Sequence, residues 1–289
     1  MTSRIFKILA NLSLKEAIVL VYGLGLDWFY KKLPANTFHV KNTYDKIIQS
    51  GGTFQKLGSD TKVKLNSSSY ILRRKGSDFA VFDQIVLRNE LLPVISELPS
   101  SDKRPLRIVD CGANIGMSVV YFKEKLPNSQ IIAVEPNEEN FAQLCKNIKI
   151  NSFEGVHPLN MGVWYEPDML SANTNFRDGS DWAFSLSKTN SDSGGGYRVD
   201  SIKNIAESNQ WDSVDLLKID IEGAEFDLFR NLAGWQTVLD KVKVISIEVH
   251  EEKGTHEEIE RILSANNFDI KRAGELTIGV RRQPVASRQ

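Results

Sequence analysis

Residues 106–116 read LRIVDCGANIG, and they indicate the architecture of the chain more clearly than any other segment. An apolar run typical of a strand ends at Asp110, and a turn of small residues then opens a helix. Gly112 and Gly116 allow the backbone to approach a ligand closely, and the unpaired N–H groups of a helix N-terminus suit a carboxylate. The stretch predicts a strand, turn and helix that bind a nucleotide-like cofactor, although such a turn also occurs in other doubly wound proteins.

The glycine spacing argues against a dinucleotide. Dinucleotide-binding turns read G-x-G-x-x-G, whereas the middle glycine is missing between Gly112 and Gly116. Asp110 would repel a diphosphate, but it would pair well with the ammonium and the ribose-side polar groups of a methionine-derived cofactor. A nicotinamide-dependent oxidoreductase is therefore the weaker interpretation.

Strand and helix patterns alternate after this point. The short, dense apolar runs suit strands that are buried on both faces of a parallel sheet. The predicted strands cover residues 106–110, 130–135, 156–163, 214–220 and 242–249, the predicted helices cover 114–126, 138–150, 223–232 and 257–265, and a terminal hairpin covers 268–280. The pattern predicts a doubly wound α/β core.

Residues 1–104 are predicted to form an N-terminal extension, and residues 105–289 form the main domain. The extension is predicted to contain, in order, a helix over 12–33, a short β-hairpin within 62–87, a helix over 86–98 broken near Pro93, and a linker over 99–105. The main domain is interrupted by a segment of about thirty residues, 166–197, and long segments of this kind are usually functional or disordered.

A second acid ends the next predicted strand. Residues 131–137 read IIAVEPN, which places Glu135 at the carboxyl end. One carboxylate at this position can bind both ribose hydroxyls of a nucleoside. Asn137 is suited to cap the following helix, which is a sufficient structural reason for that residue.

Residues 216–225 read LLKIDIEGAE, in which three charges alternate with apolar residues. Burying Lys218 is costly unless a carboxylate pairs with it, and Asp220 or Glu222 is the nearest candidate. Doubly wound folds place their chemistry at strand carboxyl ends, so these charges predict a site, although a purely structural ion pair would give the same pattern. Glu225 is interpreted as a first-turn acid that interacts with the helix dipole.

Residues 247–250 read IEVH at the end of the fifth predicted strand. Strand alternation places Glu248 and His250 on the same face. The pair is typical of a histidine base oriented by an acid, or of two metal ligands. A surface histidine at a strand end is the structural alternative.

Composition excludes several classes of protein. The 36 basic and 37 acidic residues give a net charge of -1, so the balance gives no electrostatic indication of nucleic-acid binding. Cys111 and Cys145 lack metal-ligand or disulfide spacing, which favours a reducing, cytoplasmic setting. The apolar run 17–26 is far shorter than the roughly 20 residues that cross a bilayer, and no signal-peptide pattern precedes it.

Taken in order, these motifs resemble the FkbM family of methyltransferases. The family pattern is approximately D-x-G-A-N-x-G, then E-P with a nearby N, then K-I-D-x-E-G-A-E, and here the matches are 110–116, 135–137 and 218–225. The resemblance covers about residues 79–280. It implies a seven-stranded methyltransferase fold, S-adenosylmethionine as the donor, and O-methylation of a sugar, polysaccharide or secondary metabolite. The residues assigned to the cofactor are Asp110, Gly112, Ala113, Asn114, Gly116, Glu135, Asn137 and Asp220.

The expected catalytic group is His250 or Asp220, either of which would remove the proton of an acceptor hydroxyl. His250 is slightly favoured because an unperturbed pKa of about 6.5 leaves it mostly neutral at pH 7. Glu248 is predicted to orient the histidine, and Lys218 is predicted to hold the carboxylates in place. The alternative is a divalent metal bridging Asp220, Glu248 and His250, which would acidify the hydroxyl directly.

The segment 166–197 is expected to cover the acceptor, which is a small molecule or a glycan. Its Trp182 could stack on a sugar, although simple packing of the loop is an equal alternative. A module that binds the cofactor without turnover is the other functional class compatible with these motifs. A homo-oligomer is compatible with the sequence. The sequence does not identify the acceptor.

Overall fold

A computed structural model describes residues 35–74, 76–99, 104–173, 185–187 and 196–282. The helix predicted over residues 12–33 lies outside these ranges. So do Trp182 and Phe184, two aromatic residues of segment 166–197, and most of the glycine triplet 194–196 at its end. The chain within them forms three β-sheets and a set of helices that cover the largest sheet.

The largest sheet has seven strands and confirms the predicted doubly wound fold. Its strands in spatial order are β13 (Phe268–Ala273), β14 (Leu276–Arg281), β12 (Val242–Glu248), β11 (Val214–Ile219), β4 (Arg107–Cys111), β5 (Gln130–Val134) and β6 (Val156–Leu159). The five strands from β12 to β6 are parallel, whereas β14 runs antiparallel to both of its neighbours. The order reverses between β4 and β11, and ligands bind at such a switch point.

Helices connect these strands and shield their apolar residues. All six residues of β11 are buried, as expected for a strand covered on both faces. The helices are α1 (Ala35–Gln49), α2 (Asp78–Phe82), α3 (Leu92–Ser96), α4 (Met117–Lys125), α5 (Glu138–Ile150), α6 (Ile202–Ser208), α7 (Glu225–Arg230), α8 (Gln236–Leu239) and α9 (His256–Ala265). None of the helices that the structure describes has both the length and the apolar character needed to cross a membrane.

The helices predicted over 114–126 and 86–98 differ most from their predicted bounds. The helix predicted from residue 114 begins at Met117, because Asn114 and Gly116 have left-handed φ values of 49° and 85°. The helix predicted over 86–98 is instead a π-helical turn, Asp83–Leu87, followed by α3. The break between the π-helical turn and α3 comes before Pro93. Pro93 lies in the first turn of α3, where a missing N–H costs nothing.

The strand predicted over residues 156–163 is two strands in different sheets. β6 remains in the large sheet, whereas β7 (Gly162–Trp164) joins a second, four-stranded sheet. The side chain of Asn160, between the two strands, donates to the carbonyls of Glu135 and Pro136 and fixes the chain at the point of departure. The strands described within segment 166–197 are β8 (Asp168–Asn173) and β9 (Ser185–Ser187), and β10 (Tyr197–Ser201) begins at its last residue. The order of the second sheet is β7-β10-β8-β9.

The N-terminal extension contains a three-stranded antiparallel sheet rather than a single hairpin. It consists of β1 (Thr53–Leu57), β2 (Asp60–Leu65) and β3 (Ser68–Arg73). The fully buried Asn147 of α5 accepts the amide of Ile71 at 2.6 Å and donates to the carbonyls of Ile71 and Ile115 at 3.2 and 2.8 Å. These bonds attach the extension directly to the core of the main domain.

Candidate active site

A cavity of about 590 Å³ opens at the carboxyl ends of β4, β11 and β12. Its floor comes from the glycine turn after β4 and from charged residues that end β11 and β12. Its walls come from two distant parts of the chain, the π-helical turn of the extension and the hairpin between β13 and β14. The lining includes Gln84, Glu90, Gly112, Ala113, Asn114, Ser118, Lys218, Asp220, Glu222, Glu248, His250, His256 and Glu275.

The glycine turn is shaped by the neighbouring strand. Gly112 has a φ of +81°, and a Cβ atom there would lie 1.8 Å from the carbonyl oxygen of Asp220. Only glycine fits this crossing between the turn and the end of β11. At Gly116 a Cβ atom would lie 2.6 Å from Leu144 Cδ1, so that glycine allows α4 to pack against α5.

Glu135 ties the turn to the next strand. Its carboxylate accepts the amide of Asn114 at 2.9 Å and that of Asn137 at 2.8 Å, and the residue is 5% exposed. Burial raises the pKa of Glu135 to about 7 against the lowering effect of these two bonds. The side-chain oxygen of Asn137 accepts the amides of Glu139 and Asn140, which confirms the predicted helix cap. The cofactor contact predicted for Asn137 stays a prediction.

Asp110 faces inward rather than into the cavity. It has no exposed surface, Ser118 Oγ donates to its Oδ2 at 2.5 Å, and Lys218 Nζ lies 3.2 Å from its Oδ1. The direct cofactor contact expected for Asp110 stays a prediction. Asp110 contacts two residues that line the cavity, Ser118 and Lys218.

Lys218 is paired as predicted. It is 5% exposed, and its Nζ also lies 3.3 Å from Asp220 Oδ2 and donates to the carbonyl of Gly112 at 3.3 Å. Burial alone would lower the pKa of Lys218, but the carboxylates of Asp110 and Asp220 raise it above its usual value. The ammonium group therefore holds the turn after β4 against the end of β11.

The histidine is oriented by a different acid from the one expected. Glu225 Oε1, not Glu248, lies 2.9 Å from His250 Nδ1, while Glu248 Oε1 is 3.7 Å from Nε2. Glu225 is fully buried in the first turn of α7 and also accepts the amides of Ile221 and Gly223. In the sequence, interaction with the helix dipole was a sufficient explanation for Glu225. No further sequence feature indicated its contact with His250.

The surroundings of His250 also reverse the expected protonation. Burial would lower the pKa of His250, but the hydrogen bond and charge of Glu225, with Asp220 and Glu222 nearby, raise it to about 9. The pKa of Glu248 is raised to about 8 by the charge of Asp220 and by burial. One ligand atom each from Asp220, Glu248 and His250 lie within 4.8 Å of one another, so the structure brings these three predicted residues together.

No sequence pattern indicated the cavity walls. Gln84 donates to Glu90 at 2.9 Å and to Glu275 at 3.5 Å, which links the extension to the terminal hairpin. His256 pairs with Thr277 at 3.2 Å. These residues belong to elements whose sequences show only ordinary helix and hairpin patterns.

The chain is similar in sequence to known methyltransferases. A family profile described as "Methyltransferase FkbM domain" matches residues 110–270. Methyltransferase sdnD of Sordaria araneosa is 29% identical over 209 residues, which cover 62% of this chain and 78% of that protein. Methyltransferase 1 of Beauveria bassiana (strain ARSEF 2860) is 28% identical over 184 residues, 56% of this chain and 72% of that protein. Among solved structures, the METTL16 methyltransferase domain covers 87% of this chain and 93% of its own at 10% identity and a TM-score of 0.49.

Proposed function

Because the chain belongs to the FkbM family of methyltransferases, we propose that it transfers the methyl group of S-adenosylmethionine to a hydroxyl oxygen of a small molecule or glycan. The observation that carries this proposal is the glycine turn between β4 and α4, which shares one edge of the sheet with Glu135 and the charged cavity. When bound, the cofactor supplies an electrophilic methyl group on a positively charged sulfur.

The residues of the cavity fit such a cofactor. The carboxylates of Glu90, Asp220, Glu222 and Glu248 favour a cationic ligand and disfavour the diphosphate of a dinucleotide. The backbone of residues 112–114 would lie against the cofactor, and Glu135 would accept the ribose hydroxyls through the lone pairs that its two amide donors leave unused.

The acceptor hydroxyl needs a group that takes its proton. The side chains of Asp220 and Glu248 are 26% and 25% exposed, whereas that of His250 is 3% exposed. Asp220 is therefore the better placed of the two bases considered from sequence, and it lies at the strand end where doubly wound folds position chemistry. We propose that the acceptor lies beside Asp220 and that segment 166–197 covers it; the described strands of this segment belong to the second sheet.

A screen of sugar and metabolite hydroxyls with isotopically labelled donor tests the proposal. The expected result is a labelled ether in the product by mass analysis, with Glu135→Ala unable to form it because cofactor binding is lost. Label found on nitrogen or carbon would contradict the hydroxyl acceptor. Binding of the cofactor without turnover of any acceptor would instead support the non-catalytic module.

A further inference from the structure

The ring of His250 presents one nitrogen to the cavity floor without a hydrogen bond. Its side chain is 3% exposed, and Nε2 has no hydrogen-bond partner. A buried polar atom in this state is costly, and native structures rarely contain one without a reason.

The other ring nitrogen fixes the chemistry of Nε2. Glu225 accepts two backbone amides, so its carboxylate acts as an acceptor and His250 Nδ1 is the donor in their 2.9 Å contact. In the neutral ring the proton is then on Nδ1, and the lone pair of Nε2 points toward the cavity. A carboxylate that holds a histidine from behind in this way is the usual support of a metal-binding imidazole.

The atoms around Nε2 are oxygen ligands. Glu222 Oε2 and Glu248 Oε1 lie 3.5 and 3.7 Å away. Asp220, Glu248 and His250 can each offer one atom within 4.8 Å of the others'. Asp110 balances the charge of Lys218, so Lys218 does not cancel the charge of Asp220, and Glu248 adds carboxylate oxygens beside it.

We propose that Asp220, Glu248 and His250 bind one divalent cation at the floor of the cavity, with Glu225 as the positioning residue of the histidine. One imidazole and two carboxylates suit a transition-metal ion such as Mn²⁺, which binds carboxylates and also accepts an imidazole, better than Ca²⁺, which takes six to eight oxygen ligands. The remaining coordination positions face the cavity.

The role of the ion rests on the proposed methyl transfer, whereas its binding does not. An acceptor hydroxyl that coordinates the ion becomes more acidic and is held in one orientation. Each carboxylate needs to give the ion only one oxygen, so the second oxygen of Asp220 or Glu248 is left to receive the proton when the acceptor's O–H bond breaks.

Titration of the chelator-treated full-length chain with Mn²⁺, followed by calorimetry and by the paramagnetic resonance of free Mn²⁺, tests the site. One saturable site per chain is expected. Glu225→Gln should weaken binding by about 10–100-fold, as changes behind a metal ligand do, and His250→Ala and Glu248→Gln should each weaken it further. Cofactor affinity measured on the same samples separates failure of this site from failure of the proposed function.

His256→Ala is the matched control, because this second histidine of the cavity pairs with Thr277 instead of facing the carboxylates. It should retain the Mn²⁺ affinity of the unmodified chain. Glu248→Gln keeps the size of the side chain, so it tests the ligand even where His250→Ala lowers the melting temperature. Absence of saturable binding to the unmodified chain, or equal loss in His256→Ala and His250→Ala, would overturn the proposal.

Discussion

The carboxyl group of Glu135, which is predicted to bind the ribose of the cofactor, can gain or lose a proton near neutral pH. Its pKa of about 7 lies above the usual value, chiefly because of burial, with Asp220 and Lys218 as the nearest charges and the amides of Asn114 and Asn137 as donors. A ribose diol donates to the ionised carboxylate, so protonation as the pH falls through the pKa removes the acceptor. We expect cofactor affinity to decrease by up to roughly tenfold per pH unit below about pH 7.

Calorimetry between about pH 6 and pH 8 measures this dependence. The donor's own α-amino group titrates near pH 8, so the comparison with Glu135→Gln isolates the carboxylate. That variant should bind more weakly, and its affinity should lack the component contributed by Glu135. Parallel pH profiles for the two proteins would show that Glu135 does not titrate in contact with the cofactor.

Among the structural elements, the turn after β4 is the most tightly constrained. Gly112→Ala would place a Cβ atom 1.8 Å from the carbonyl oxygen of Asp220, whereas Gly51→Ala, at a similar φ of +78°, would meet nothing within 4 Å. Both changes strain a left-handed residue by roughly 1–2 kcal/mol. Only Gly112→Ala adds overpacking, which costs roughly 1–3 kcal/mol more.

Urea unfolding of the two variants measures the difference. The free energy of unfolding of Gly112→Ala should lie at least about 1 kcal/mol below that of Gly51→Ala, as the overpacking cost requires. Equal losses in the two variants would mean that the turn moves away from β11 without cost.

The element pattern could be predicted because buried strands and helix caps depend on neighbouring residues. The run before Asp110 and the cap at Asn137 are local, and both predictions are confirmed. The strand predicted over 156–163 was wrong, since both halves are apolar and only pairing with β10 separates them. Glu225 lies at the start of α7, and His250 follows the end of β12. These residues are distant in sequence, so no local pattern reveals their contact.

At the scale of the whole molecule, the extension and the main domain share an apolar cluster, and buried polar contacts add to it. Asn147→Ala removes three hydrogen bonds and leaves backbone groups of Ile71 and Ile115 without those partners. Each unsatisfied buried group costs about 1–3 kcal/mol, so we expect a loss of at least about 2 kcal/mol in the free energy of unfolding.

Urea denaturation followed by circular dichroism checks this value. The exposed Asn128 supplies the control, since Asn128→Ala should change stability by less than about 0.5 kcal/mol. A change below about 1 kcal/mol in Asn147→Ala would be less than one unsatisfied buried group costs, and would show that other contacts carry the attachment.

The position of β14 has a consequence for how the protein is made. A chain leaves the ribosome from its N-terminus, so β12 emerges before the strand that pairs with its outer edge. Until β14 arrives, that edge exposes unpaired backbone groups, which recruit strands from other chains. Docking of β14 covers the edge and brings Glu275 to the cavity in the same event. We therefore expect a chain interrupted before residue 276 to keep the outer edge of β12 unpaired and to aggregate through it.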